Sequence, residues 1–110
     1  MSALDSVRNY IAMRQAGAGS EDVLVSFFTT DGCLVDVDGN VHKGKDQLLT
    51  YYKNNQSTAY EVQQPQADSK GRFSIDFKVY KLFMYWPIRA HFEMSRDDPQ
   101  LFSKITIERL

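Results

Sequence analysis

The stretch from Asp36 to Asp46 holds most of this chain's polar residues at spacings that suggest chemistry. Asp36-Val-Asp38-Gly39-Asn40 begins like a calcium loop, but its glycine stands at the fourth position and such loops need it at the sixth. Gly39 to Asp46 reads G-x-x-x-x-G-K-D, one residue away from a phosphate-binding loop. The last position should be Ser or Thr to hold magnesium, and Asp46 would instead set negative charge beside the phosphates. Lys70 to Phe77 has the outline of an RNA-recognition strand, with Arg and Ser where its key aromatics belong. His42, His91 and Cys33 lie far apart and form no metal-ligand spacing, so no metal and no cofactor is expected. That leaves the Asp36 carboxyl. In an apolar cavity its pKa would rise, and it could move protons near neutral pH. Alternation divides its strand into Cys33, Val35 and Val37 on one face and Leu34, Asp36 and Asp38 on the other. If the valines face the core, Asp36 faces water.

The elements that must position these residues follow from patterning. Ser2 to Asp5 is a capping box, and Leu4, Val7, Tyr10 and Ile11 continue it as a helix ending near Gly17 or Gly19. Ser20 is a good N-cap for a second helix whose apolar face is Val23, Leu24, Phe27 and Phe28. Thr29 to Gly32 reads as a turn, Cys33 to Val37 as a short strand, and Val41-His42 as a piece that pairs back. A third helix runs from Gly44 to about Lys53 and closes at Asn54-Asn55, since Asn tolerates the left-handed conformation. Strands follow at Ala59 to Gln64, Phe73 to Tyr80, Ile88 to Met94 and Phe102 to Leu110, with turns at Ser69-Lys70-Gly71 and Asp97-Asp98-Pro99. Helices first and antiparallel strands after make an α+β domain.

Composition sets outer bounds. A length of 110 residues predicts a single domain spanning 1–110. The chain is 43% hydrophobic and 25% charged, a globular balance. A net charge of −1 supplies no global field toward nucleic acid or an anionic membrane, so neither is expected as a partner. Cys33 is the only cysteine, which excludes an intrachain disulfide. With no signal peptide and no apolar run of about 20 residues, a cytoplasmic location is expected. Seven Phe, six Tyr and one Trp concentrate toward the second half, and aromatics line pockets and interfaces as well as cores. Leu82 to Trp86 is apolar on both strand faces. One face can fill the core, and the other must meet something: a second subunit covering the sheet, a pocket mouth or another protein.

From Arg8 to Tyr52 the chain resembles the N-terminal half of the nuclear transport factor 2-like superfamily, which includes ketosteroid isomerase-like and SnoaL-like proteins. The matching residues are Tyr10, Phe27-Phe28, Asp31-Gly32, Leu34-Val35-Asp36, Gly44, Leu48 and Tyr51-Tyr52, with Ile88 to Phe92 in the second half. The resemblance implies three helices packed on a curved antiparallel sheet, a cone-like α+β barrel with an internal cavity. Carried over from ketosteroid isomerases, Tyr10 takes the place of the oxyanion donor and Asp36 that of the base, which turns Asp36 inward. The second acidic donor falls on Ala90, or on Arg89 if the strand bulges, and neither can donate as a neutral acid. Losing such a donor costs about 10²–10³ in rate.

Two functions fit this reading. In the first, the cavity takes a small apolar, oxygen-bearing ligand, with Asp36 and Tyr10 catalytic in an isomerisation, dehydration or cyclisation. Arg14, Tyr52, Phe77, Trp86 and Ala90 would then contact the ligand. In the second, the domain is a non-catalytic dimeric adaptor that pairs through the sheet with the Leu82 to Trp86 run as interface. His91, pointing away from Phe92, would lie at that contact or in solvent, and His42, just after a turn, would be exposed. An enclosed pocket bordered by Asp36 and Tyr10 favours the first function. A filled core with Asp36 in solvent favours the second.

Overall fold

A computed structural model describes residues 2–17, 20–68 and 70–110. Helix α1 spans Ala3–Ala16. Its capping box is complete: the Asp5 amide donates to Ser2 Oγ at 3.1 Å, and the Ser2 amide donates to Asp5 Oδ2 at 3.0 Å. It stops at Gly17, whose φ of 88° suits glycine; the alternative stop, Gly19, lies outside the described residues. Helix α2 covers Glu21–Val25. Ser20 precedes it without capping it, because its hydroxyl donates back to the Gly17 carbonyl at 3.1 Å. Helix α3 covers Gly44–Asn54 and buries Leu48 and Tyr52. Its end is not left-handed. Asn55 has φ −130°, and its side-chain amide donates to the Tyr51 carbonyl at 2.8 Å.

The strands are β1 (Phe28–Val35), β2 (Val41–Lys43), β3 (Gln66–Ala67), β4 (Phe73–Lys81), β5 (Met84–Met94) and β6 (Phe102–Arg109). They form one sheet in the order β2-β1-β6-β5-β4-β3. All pairings are antiparallel except β1 with β6, which run parallel, so the sheet is mixed. The chain crosses the helical layer between β1 and the β4–β6 meander, and the meander brings β6 back in the direction of β1.

Four segments differ from their sequence patterns. The second helix stops at Val25, so Phe27 and Phe28 do not share its face, Phe28 opens β1, and Val23 is exposed. Thr29 to Gly32 belongs to β1 rather than to a turn. The register against β6 shifts between Phe28 and Cys33, and this irregularity accommodates the polar run. Ala59 to Gln64 is not a strand. Tyr60 makes an isolated bridge to Lys78, and Glu61 at φ 48° breaks the extended path before Pro65. Leu82 to Trp86 does not enter the core: Leu82 and Phe83 form the β4–β5 turn, Met84 and Tyr85 are exposed, and Trp86 is half-buried.

One face of the sheet and the three helices share the core. Val7, Tyr10 and Ile11 come from α1, Leu24 from α2, and Leu48 and Tyr52 from α3. They meet Leu34, Ile75, Phe92, Phe102 and Ile105 from the strands. Phe102 is its aromatic centre. It is fully buried, with the rings of Tyr10, Phe27, Phe28 and Phe92 at 5.5, 5.9, 5.8 and 5.2 Å. Gly32 lies against it, and a side chain there would crowd Phe28 and the Phe102 carbonyl at 3.0–3.1 Å. Truncating Phe102 to Ala should cost about 3–5 kcal/mol in urea unfolding, a large share of the roughly 5–15 kcal/mol of a typical domain. A loss below about 1 kcal/mol would contradict this packing.

Candidate functional site

Between the helices and the inner sheet face lies a cavity of about 250 Å³. Tyr10, Arg14, Asp36, Tyr52, Phe77, Trp86 and Ala90 all border it. Four elements and the end of a fifth bring these residues together: α1 carries Tyr10 and Arg14, α3 carries Tyr52, β4 carries Phe77, and β5 carries Trp86 and Ala90. Asp36 stands just past the end of β1.

Asp36 shares a face with Leu34, which is 1% exposed. The face that carries it therefore turns toward the core, and Val37 on the other face is 42% exposed. Alternation alone could not choose between these two orientations. Past Val35 the chain turns back, and the Asp36 carboxylate organises that turn. Its Oδ1 accepts the amides of Asp38 at 2.9 Å and Asn40 at 3.0 Å. Its Oδ2 lies 2.8 Å from His42 Nε2. Burial pushes the Asp36 carboxyl up, but the bonds from His42, Asn40 and Asp38 together outweigh it, and its pKa falls below the ordinary value. Asp36 is thus ionised at neutral pH rather than poised near it. An ionised carboxylate only accepts, so His42 Nε2 carries the hydrogen.

His42 is the site residue that sequence reasoning misplaced. It is half-buried, with its side chain 26% exposed. Its ring packs 4.6 Å from that of Tyr51. The signal was there in the hairpin: a turn at Asp38-Gly39 sets His42 opposite Leu34, on the face that holds Asp36. His42 itself does not border the cavity; it borders a surface depression with Asp46, Gln47 and Thr50. Its effect on the cavity passes through Asp36.

The cavity lining also carries two hydrogen-bonded phenols. The hydroxyls of Tyr10 and Tyr52 lie 2.7 Å apart, on side chains that are 3% and 1% exposed. One donates to the other, and the accepting hydroxyl keeps its own hydrogen for a further acceptor. Burial raises both pKa values, Tyr52 well above the ordinary phenol. Burial also pushes Tyr51, another cavity residue, up to about 12. All three are neutral donors at physiological pH. The Arg14 guanidinium, half-buried at the cavity, sits 5.5 Å from the centre of the Tyr52 ring and reaches the Asn55 carbonyl at 3.4 Å. At the far rim Arg109 lies 4.8 Å over the Trp86 ring. Ala90 supplies only a methyl, so the position of the second acidic donor stays empty of polar atoms. Among the described residues, no set of three His, Cys, Asp or Glu side chains could hold a metal ion. None of the helices described is long and apolar enough to cross a membrane.

No family model and no curated protein matches the chain by sequence. Solved structures match it by shape. A nuclear transport factor 2-like (NTF2-like) protein of unknown function from Cytophaga hutchinsonii superposes with a TM-score of 0.81 at 4% identity, over 100% of this chain and 91% of that one. A Pseudomonas putida protein provisionally named a polyketide cyclase gives 0.77 at 16% identity, over 97% and 90%. The orange carotenoid protein of Anabaena (Nostoc), solved binding canthaxanthin, gives 0.70 at 19% identity, over 96% of this chain and 36% of that one. At these identities the likeness is one of fold. The chain therefore has the NTF2-like fold, in its α+β form of three helices on a six-stranded sheet.

The lowered pKa of Asp36 fixes the sign of its contribution to stability. A depressed carboxyl stabilises the fold above its unfolded value, near ~3.9, and that stabilisation is lost as pH falls through the lower folded value. Replacing His42 with Ala leaves the burial and removes the largest opposing bond. The Asp36 midpoint, followed by NMR of its carboxyl carbon, should therefore rise in H42A. Stability at neutral pH should fall by about 1–2 kcal/mol, and the difference from wild type should shrink below pH ~4. An unmoved midpoint would show that His42 does not hold the carboxylate.

Proposed function

We propose that the cavity binds a small, largely apolar molecule through one oxygen atom, which accepts a hydrogen bond from the Tyr10–Tyr52 hydroxyl pair. The observation that carries this reading is that pair: two neutral phenols 2.7 Å apart at a cavity whose lining includes the apolar side chains of Leu34, Phe77, Ile88, Ala90 and Ile107, with charged groups such as Arg14 and Asp36 also on it. An apolar lining with a few convergent polar groups is how small-molecule sites are built. A volume of about 250 Å³ falls just below the ~300–1,000 Å³ common for ligand pockets, which suits a compact ligand. The canthaxanthin held by the orange carotenoid protein gives one case of an apolar ligand bound by a protein that contains this fold.

Proton transfer is the second reading. Proteins provisionally named polyketide cyclases recur among the structural neighbours, and Asp36 is a carboxylate at the cavity. Its lowered pKa makes it a weak base, which favours binding over catalysis. The adaptor reading is disfavoured by its own criterion, since Asp36 borders the cavity.

The test compares 2-naphthol with naphthalene, followed by the fluorescence of Trp86, the single tryptophan. Naphthol should bind about three- to tenfold tighter, the worth of one net hydrogen bond. Tyr10→Phe and Tyr52→Phe should each erase most of that difference while leaving naphthalene binding in place. Equal affinity of both probes for the wild type, or no saturable binding of either, would sink the proposal.

A further inference from the structure

The β4–β5 hairpin ends in a turn whose residues do not suit it. Leu82 and Phe83 both have positive φ, 51° and 63°. Hairpin turns of this kind favour Asn-Gly, because bulky side chains are strained in that region. Neither residue gains packing in exchange: Leu82 is 83% exposed and Phe83 92%. The ribbon beneath them keeps a few side-chain contacts, Tyr85 with the Tyr60 ring at 5.6 Å and Lys81 with Asn55 Oδ1 at 3.2 Å, but its backbone pairing to neighbouring strands ends early. Pairing of β5 with β6 stops at Ile88, and the Leu110 amide closes that edge on the Pro87 carbonyl at 3.0 Å. On the other edge the last backbone pairing is the bridge between Tyr60 and Lys78.

The residues of this ribbon are layered. Leu82 and Phe83 form a convex apolar end. Behind them lies a collar of amphipathic aromatics. Tyr80 and Tyr85 have ring centroids 5.0 Å apart, and Trp86 donates its indole hydrogen to the Lys81 carbonyl at 2.9 Å. Cations follow. Segment 77–92 carries Lys78, Lys81 and Arg89 and no carboxylate, in a chain whose net charge is −1. Glu61 occupies Lys78 and Asp76 occupies Arg89, which leaves Lys81 and the Arg109 stacked on Trp86 as the cations near the tip. An averaged charge hides this arrangement. Apolar tip, Tyr/Trp collar and flanking cations match the layers of a lipid interface: acyl chains, headgroups and anionic phosphates.

We propose that the tip of the β4–β5 hairpin docks on an anionic lipid surface, with Leu82 and Phe83 entering the acyl boundary and Lys81 and Arg109 facing the phosphates. A second copy of the chain suits the tip less well. A stable dimer hides about 800 Å² per partner behind complementary surfaces, and a narrow convex end offers no such patch. Lys81, Leu82 and Trp86 also border the cavity, so a docked tip sets the cavity rim at the lipid. The docking rests on the chemistry of the tip and is tested without a cavity ligand.

The test is co-sedimentation with phosphatidylcholine vesicles containing about one third phosphatidylserine. The variant for comparison joins Leu82→Asn with Phe83→Gly. Wild type should bind, more weakly at high salt and without phosphatidylserine. The variant should lose about tenfold or more in partitioning while its Tm stays equal or rises, because Asn-Gly suits the turn. Phe83→Ser, which keeps Leu82, serves if the double variant fails to fold, and should show a smaller loss. Wild type that stays in the supernatant, a variant that binds as well as wild type, or binding indifferent to phosphatidylserine overturns the proposal. A wild-type dimer that ignores vesicles and dissociates in the variant assigns the tip to a second copy and overturns it as well.

Discussion

Two phenol hydroxyls buried against each other set the terms for much of this molecule. A hydroxyl taken out of water without a partner is costly, so Tyr10 and Tyr52 must stay in register or both lose. That requirement ties α1 to α3 across a core that is otherwise aromatic and aliphatic. The same contact stacks Tyr10 against Phe27, Phe92 and Phe102 and places Tyr52 under the Arg14 guanidinium. The helical layer is therefore located by one directional bond and many non-directional contacts. The same pair borders the cavity.

The polar groups that border the cavity treat protons in two ways. At the Tyr10–Tyr52 pair burial outweighs the opposing charge of Arg14, and the phenols hold their hydrogens tightly. At Asp36, burial is more than compensated by two backbone amides and an imidazole, and the carboxyl gives its proton up easily. Donors and acceptor thus sit at fixed ends with little tendency to exchange roles near neutral pH. Such an arrangement orients a polar group well and moves protons poorly, and the surrounding apolar residues strengthen the orientation.

Much of the fold was legible because local rules and tertiary structure agree there. The capping box at Ser2–Asp5, the stop at Gly17 and the alternation of β4 need no knowledge of partners. The resemblance around Tyr10 and Asp36 led to residues that the structure gathers on one cavity. What escaped depends on contacts distant in sequence. Leu34 pairs with Ile105 in the core, and that pairing, not the alternation of six residues, turns Asp36 inward. The Thr29 to Gly32 segment has turn chemistry, yet it is held in β1 by Phe102, some seventy residues on. Ala59 to Gln64 has strand chemistry but lies at an edge where one bridge suffices. His42 looked like a post-turn surface residue because its partners, Asp36 and Tyr51, are set by a hairpin and a helix together. The hydrophobicity of Leu82 to Trp86 suggested burial, whereas the hairpin carries it outward.

The parallel pairing of β1 with β6 carries a kinetic consequence. It joins Phe28 to Phe102 and Leu34 to Ile105, contacts that span most of the chain, whereas β4, β5 and β6 can zip as successive local hairpins. Closing so long a loop costs chain entropy before any contact rewards it. The meander can therefore assemble early, with β1 and its attached helices adding last. The cavity comes into being only with that final closure, so anything that occupies it binds the finished fold alone and stabilises it in proportion to the logarithm of its concentration.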